Sequence, residues 1–530
     1  MLEKIKLVAN GKITSLILLV IVVLAFYLKS LILISILPIL LLFTLLIYFK
    51  FPAWKASAIS SVFVLLVSIF YFQAFNSINA WLIGALFGIW NVSWLIFWTI
   101  FFFNVFKLTG LLEEFKNFIL KNSVNDIRVL SLILAFSFGA IIEGITGFGT
   151  PWAYVVPILV SFGIPELKAI TISAIANTAP VSFGAFGLPM ITLASVTDLP
   201  LMILSHAEAT ITFIEAFLVT FLILYIVDGI RGIKEAWHFA LIASLSYGIV
   251  QYLVATYLGP YLPDVLGSIS SLIALFLASR FLKAKRIQVE LKSKKSLIAL
   301  FVFISFLAFW TFPFLPFINF SLIKFSYSLE NSFAEKSFTV SYSFNPFSIG
   351  TGAFLAFLIS LAVIKPKIEI LKQALKNTLK QTYGAILTSL FVFSLAYTFN
   401  FIGFSYFIAY YASQLGFLFF IISPLLGTLG AALTGSNTSS NAIFGNIQYL
   451  TGIKLGFPEA LLPIANSTGA ELGKPIAPQT VSVGVTTSSY VGKEGEIIKN
   501  NFKYVMFLVA CLIVILFVLS KIYPYPFIVK

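Results

Sequence analysis

Two regions of this chain gather glycine, proline, asparagine, serine and threonine inside otherwise apolar sequence. The first is Glu143-Gly-Ile-Thr-Gly-Phe-Gly-Thr-Pro151, followed by Asn177-Thr-Ala-Pro-Val-Ser-Phe-Gly184. The second is Thr434-Gly-Ser-Asn-Thr-Ser-Ser-Asn441, followed by Asn466-Ser-Thr-Gly469 and Gly473-Lys-Pro-Ile-Ala-Pro-Gln479. Proline breaks the helical hydrogen-bond ladder and glycine weakens it, so backbone groups are freed there. A half-helix that starts at such a break offers unpaired N–H groups and the positive end of its dipole. Together these hold an anion without any formal charge. Candidate ligands are Thr146, Gly147, Asn177, Thr178 and Ser182 in the first region. In the second they are Thr434, Ser436, Asn437, Thr438, Ser439, Asn441, Asn466, Ser467, Lys474 and Gln479. For any one Ser or Thr the competing explanation is close helix packing, which favours small residues in membranes. Packing does not explain the doubled Asn and Pro.

Charge is scarce near these regions, so each charged group carries information. Residues 381–453 contain no Asp, Glu, Lys or Arg, which leaves the first part of the second region neutral and suited to an anion. Glu143 stands between an apolar run and the Gly-rich break. A carboxylate at a bilayer centre costs about 2.5–3.5 kcal/mol even on lenient scales, so it requires a reason. It can carry a coupled proton, or it can cap the N–H groups of the break. Glu208 is a second candidate for proton coupling, with Glu215 beyond it; Glu208 can alternatively begin a helix at the interface. Lys474 can pair with a substrate carboxylate, or with Glu471 or Glu143 when the site is empty, or snorkel to the membrane edge. His206 reads as interfacial.

The elements that position these residues follow from composition. Of 530 residues, 60% are hydrophobic and 10% charged, and the mean hydropathy is +1.02. A soluble domain carries about 25% charged residues, so most of this surface faces lipid. Apolar runs at 13–28, 31–49, 58–75, 81–106, 210–227, 297–320, 349–364, 382–411 and 505–519 approach the length of about 20 residues that a span needs. The run at 13–28 follows Lys4 and Lys6 with no small-residue cleavage site and reads as a retained first helix. The net charge of +14 does not mark a nucleic-acid binder, because Lys and Arg fall between the apolar runs. Cys511 is the only cysteine, so no intrachain disulfide exists, and His206 and His238 cannot form a metal site by themselves. No cofactor is called for. Convergent loop clusters of an enzyme are absent from the sequence, so a membrane-embedded enzyme is not expected.

Basic residues set a topology. Residues 280–295 and 365–380 are Lys/Arg-rich and belong inside; 321–346, between two spans, belongs outside. The basic residues at 107–128 and 229–238 then also belong inside, with an even number of crossings between them. Five apolar pieces lie there, at 129–142, 150–163, 169–186, 188–204 and 209–227, so at least one cannot cross fully. Irregular backbone at that depth is tolerated only when buried in protein or lining a cavity. A repeat is also visible. Thr146-Gly147 matches Thr434-Gly435 at an offset of 434 − 146 = 288, Asn177 matches Asn466 at 289, and Gly184 matches Gly473 at 289. Paired breaks in two related halves point to a transport site.

These segments resemble the L-lactate permease family. The resemblance rests on Glu143-Gly-x-x-Gly-Phe-Gly149, on Ile175-Ala-Asn-Thr-Ala-Pro-Val-Ser-Phe-Gly-Ala-Phe-Gly-Leu-Pro189, and on Leu433-Thr-Gly-Ser-Asn-Thr-Ser-Ser-Asn-Ala-Ile-Phe-Gly445. It continues through Ala465-Asn-Ser-Thr-Gly469, Gly473-Lys474, Pro478-Gln479 and Gly492-Lys-Glu494. The resemblance implies uptake of L-lactate and related 2-hydroxymonocarboxylates such as glycolate, with a proton in symport, at the plasma membrane. The family usually shows an acid where this chain has Asn437, which leaves Glu143 or another group to carry the coupling.

The expectation is thus an all-α integral membrane protein of about 12–14 transmembrane helices, in two related, inverted repeats with broken or re-entrant helices. Its parts are N-terminal helices at 1–106, a first repeat core at 107–228, middle helices at 229–380, a second repeat core at 381–490 and a C-terminal helix at 491–530. The expected partners are a small carboxylate, protons and the lipid bilayer. Coupling to Na⁺, a di- or tricarboxylate substrate, and an anion channel are the alternatives.

Overall fold

The computed structural model describes residues 27, 30–147, 149–281, 286–291, 293–312, 321–331, 336–486 and 488–529. The expected first helix at 13–28 lies outside this set except for Tyr27. Among the described residues, six helices are long and apolar enough to cross a membrane: Ala53–Phe70, Ser77–Leu108, Ile127–Thr146, Leu201–Tyr257, Ile368–Phe401 and Glu494–Ile522. A seventh span is a pair bent by 59°, Glu166–Ala176 with Val181–Thr197. Six shorter apolar helices accompany them. The helix Leu201–Tyr257 turns back on itself at Asp228–Gly229, where Gly229 takes φ +61°. Two expectations change in detail. The run at 382–411 is two helices, because Gly403 at φ +80° ends Ile368–Phe401 and opens Phe404–Ala412. The outer segment 321–346 departs locally from the all-α expectation: Ile323–Asn331 and Lys336–Phe344 pair as an antiparallel hairpin. Their residues alternate Phe, Tyr and Val with Ser and Lys, the period-two pattern of a half-buried strand.

Contacts sort the helix ends onto two faces. On one, Arg128 pairs with Glu235 and lies 3.7 Å from Asp228. Glu114 accepts the Ser293 hydroxyl at 2.8 Å, and Lys295 Nζ donates to the Ile364 carbonyl at 2.8 Å. Residues near 107–128, 228–238, 286–296 and 364 therefore share one face, as charge counting predicts. Its richness in Lys and Arg marks it as cytoplasmic. The β-hairpin lies on the other, where Phe338 meets Tyr406 and the would-be Cβ of Gly403.

The five pieces between 129 and 227 now resolve. Ile127–Thr146 starts on the basic face, with Asp126 as its N-cap accepting from Arg128 N at 2.9 Å. Thr150–Ser161 returns to that face, where Glu166 accepts Ser489 N–H at 2.9 Å and Lys168 Nζ donates to Val227 O at 3.3 Å. The two form a re-entrant hairpin. The bent pair and the first arm of Leu201–Tyr257 supply two true crossings, which is the even number required. In the second half, Leu418–Thr434 and Asn437–Lys454 form a matching hairpin from the opposite face. Phe417 meets Phe517 edge-to-face, and Lys454 lies over the Tyr406 ring at 4.7 Å. The halves are therefore inverted with respect to each other.

Candidate functional site

The two hairpin tips repeat one local design. Thr146 donates its hydroxyl to Ile142 O at 2.8 Å, and Gly147, at φ +66°, donates its N–H to Glu143 O at 2.8 Å. Thr434 donates to Gly430 O at 2.7 Å, and Gly435, at φ +72°, donates to Ala431 O at 2.7 Å. Each threonine closes the last turn, and each glycine takes a positive φ that a side chain resists, though only Gly435 is in the left-handed helical region. The repeat read from the Thr-Gly matches is thus a repeat of structure. The Asn177–Asn466 match is not. Asn177 sits in the turn after Ala176, whereas Asn466 lies inside Leu461–Gly473, whose break comes only at Lys474–Ala477.

Both tips line one cavity of about 1190 Å³. Its walls include Glu143, Thr146, Gly147, Thr434, Ser436, Asn437, Thr438, Ser439, Lys474 and Gln479. Across from them stand Ile96, Phe103, Thr388 and Val392 from the long helices Ser77–Leu108 and Ile368–Phe401. Lys50, Lys107 and Glu494 also line it, so its mouth lies on the basic face. The state described is open inward.

The central feature is an ion pair. Lys474 Nζ lies 2.6 Å from Glu143 Oε1, and the two side chains are only 6% and 1% exposed. The other Glu143 oxygen accepts the Gly149 N–H at 3.2 Å. Glu143 therefore caps the break, one of the two roles expected of it, and also partners Lys474. Lys474 does not snorkel, and Glu471 is not its partner. Glu471 Oε1 accepts the Ser182 N–H at 2.7 Å instead. On the neutral hairpin, Ser436 caps its helix by accepting Ser439 N–H at 3.2 Å. The N–H groups of Asn437 and Thr438 are then the ones such a terminus leaves without helical partners.

Several expected site residues stand behind the cavity wall, not on it. Asn466 Nδ2 donates to Asn441 Oδ1 at 2.9 Å, and Asn441 Nδ2 donates to Ser467 Oγ at 3.1 Å and to Pro189 O at 3.1 Å. Ser467 Oγ lies 3.3 Å from Ser182 Oγ, which donates to Glu208 at 2.6 Å. Glu208 is fully buried, so the interfacial alternative for it is wrong. Thr178 only closes its own turn, donating to Ile175 O at 2.8 Å. Asn177 is buried, and neither polar atom of its side chain has a hydrogen-bond partner. His206 is half-buried near the start of its helix, 2.9 Å from Thr256 Oγ1, as an interfacial residue would be. The packing explanation is correct for some glycines. A Cβ on Gly469 would come within 2.2 Å of Pro424 O, and one on Gly473 within 2.3 Å of Thr428 O.

Sequence reasoning missed Asp264. It is fully buried and accepts the Tyr247 hydroxyl at 3.1 Å, and Tyr247 in turn accepts from Gln251 at 2.9 Å. A Cβ on Gly144 would sit 2.7 Å from Asp264 Oδ2, so this carboxyl backs the first hairpin tip. The signal was available, since a lone Asp opening an apolar helix invites the argument that singled out Glu143.

Opposed re-entrant hairpins around a shared cavity, in a multi-pass helical membrane protein, are an architecture found in secondary transporters. Residues 31–523 match the family described as L-lactate permease. The chain belongs to the L-lactate permease family. It is 30% identical over 510 residues to the L-lactate permease of Salmonella typhi, covering 89% of this chain and 92% of that one. It is 29% identical over 522 residues to the glycolate permease GlcA of Escherichia coli (strain K12), with the same coverage. The solved structure of Neisseria gonorrhoeae MtrF aligns at a TM-score of 0.46 and 16% identity, over 87% of this chain and 84% of that one, too distant to inform the site. Among the described residues no group of three His, Cys, Asp or Glu is arranged to hold a metal ion.

Proposed function

We propose that this chain imports L-lactate and related small 2-hydroxymonocarboxylates, such as glycolate, in symport with protons. The observation that carries the reading is the buried Lys474–Glu143 pair on the cavity wall. Lys474 is the cation a carboxylate can reach at the tips, and its present partner is itself a carboxylate. A substrate carboxylate entering from the cavity competes with Glu143 for the ammonium. Once displaced, Glu143 is left buried without a counter-charge and takes up a proton, which couples the two bindings. The N-terminus at Asn437 and Thr438, with Ser436, Ser439 and Gln479, supplies neutral donors for the substrate's other oxygens. Thr146 and Gly147 close the site from the opposite tip. Thr178, Asn441, Asn466 and Ser467 act from behind the wall, holding the breaks in place. The relatives' names, L-lactate permease and glycolate permease, support this substrate class.

The test is uptake of labelled L-lactate by proteoliposomes, with and without an inward pH gradient, and with choline in place of Na⁺. Accumulation that follows the pH gradient and ignores Na⁺ is expected. Uptake that requires Na⁺, or passive flux without accumulation, refutes the reading. Citrate or succinate outcompeting lactate would replace the substrate. Glu143→Gln is expected to uncouple accumulation from the pH gradient.

A further inference from the structure

A second set of carboxyls lies behind the cavity, and Ser182 ties it together. The Ser182 N–H donates to Glu471 Oε1 at 2.7 Å, and its hydroxyl donates to Glu208 Oε1 at 2.6 Å. Thr468 also donates to Glu208 Oε1, at 3.1 Å. Asn437 Nδ2 donates to Ser182 Oγ at 3.2 Å, so the cavity wall touches the cluster at that one residue. Ser182 and Glu208 come from the first half, and Asn437, Thr468 and Glu471 from the second. All five are nine-tenths or more buried.

Hydrogen-bond accounting shows what the cluster lacks. Glu208 Oε2, Glu471 Oε2 and Asn437 Oδ1 are buried atoms with no partner. All three are acceptors. Leaving such atoms unmatched costs about 1–3 kcal/mol each. What would satisfy them is a donor, and a carboxylic acid proton is the smallest one. Among the described residues no cation pairs with the cluster, and the buried Lys474 is engaged with Glu143. Among the described residues, the other titratable groups facing it are acids or neutral: Glu215, on the same helix as Glu208, against Glu471, and Tyr247 from the second arm of that helix, with Cys511 of Glu494–Ile522 beyond Glu215.

We propose that Glu208 and Glu471, bridged by Ser182, form a second proton-binding site that is separate from the substrate cavity and spans the two halves. This rests on the proton-symport reading above. A proton arriving on one of these carboxylates forms an O–H bond and satisfies an orphan acceptor. Its loss leaves two carboxylates facing each other across the interface between the halves. Loading therefore favours the halves together, and unloading favours their separation. That is the coupling an alternating-access cycle needs, and it does not require the proton and the substrate to share a group.

The experiment compares Glu208→Gln and Glu471→Gln with the parent in proteoliposomes. Lactate-for-lactate counterflow moves no net proton and is expected to stay within about twofold of the parent. Accumulation driven by a one-unit pH gradient, worth about tenfold per coupled proton, is expected to fall at least threefold in each. Unchanged accumulation in both variants overturns the proposal. So does equal loss of counterflow and accumulation, which marks a merely structural role. Dicyclohexylcarbodiimide labelling of the parent protein, read by mass spectrometry, covers variants that do not fold. Modification of Glu208 or Glu471 that declines as pH rises is expected, and its absence at both overturns the proposal. If the parent itself shows no proton-driven lactate uptake, the symport reading fails, and the labelling still reports on the proton site.

Discussion

Replacing Lys474 by methionine removes the ammonium and keeps most of the side-chain length. In the parent, the pair is 2.6 Å apart and almost completely excluded from water. Breaking a buried ion pair from one side leaves the other charge uncompensated, which costs about 3–5 kcal/mol. Lys474→Met should therefore lower the unfolding temperature of the purified protein markedly. Adding Glu143→Gln should restore most of the loss, because replacing both partners is nearly neutral. Transport responds differently. A hydrogen bond to a charged group contributes about 1.5–3 kcal/mol, which converts to about a 10- to 150-fold rise in KM for lactate. That rise should persist in the double variant, since neither neutral side chain supplies the cation that pairs with the substrate carboxylate. The assays are thermal unfolding in detergent and initial uptake rates in proteoliposomes over a range of lactate concentrations. An unchanged KM in Lys474→Met would refute carboxylate docking at this residue. Additive stability losses in the two single variants and the double would refute the pair as a stabilising unit.

Three further outcomes are expected. With Cys511→Ser as background, Thr146→Cys should react with a membrane-impermeant thiol reagent from the cytoplasmic face of inverted vesicles, and lactate should slow it; reaction from the opposite face alone contradicts the inward-open cavity. Gly435→Ala places a side chain at φ +72° with its Cβ 3.0 Å from Gln479 Oε1. It should destabilise by about 1–2 kcal/mol and cut uptake, whereas Gly416→Ala, also at positive φ but in open space, should cut uptake far less. Asp126 is half-buried, and burial alone would raise its pKa, but hydrogen bonds from the Arg128 side chain and backbone together hold it below its ordinary value. A depressed folded pKa means that its contribution is present above the unfolded value of about 3.9 and lost as pH falls through the folded one. Amide exchange over 124–132 should therefore quicken below about pH 4, and Asp126→Ala, which also loses the N-cap at about 0.5–2 kcal/mol, should show that faster exchange at neutral pH.

The sequence by itself determined the solvent, the breaks and the sidedness. Scarce charge and long apolar runs leave no other place for this chain than a bilayer, and Lys/Arg placement orients it. The Thr-Gly repeat was legible because a helix that ends at a positive φ favours glycine, and that need is local. Glu143 and Lys474 were legible because a charge in an apolar run is costly wherever the chain goes. What only the tertiary structure decided is which groups meet. Lys474 could pair with Glu143 or Glu471, and the choice depends on how the second break packs against the first hairpin. Ser182 as the link between Glu208 and Glu471 joins three segments more than two hundred residues apart at its extremes, and no periodicity records that. The Asn177–Asn466 match failed for the same reason: identical letters at one offset do not fix where a helix breaks, because neighbouring helices supply the missing hydrogen bonds. Parity required a segment that does not cross, but hairpin and broken span satisfy parity equally. Ion pairs at the ends of 127–146 and hydrogen bonds beyond 150–161 decided between them.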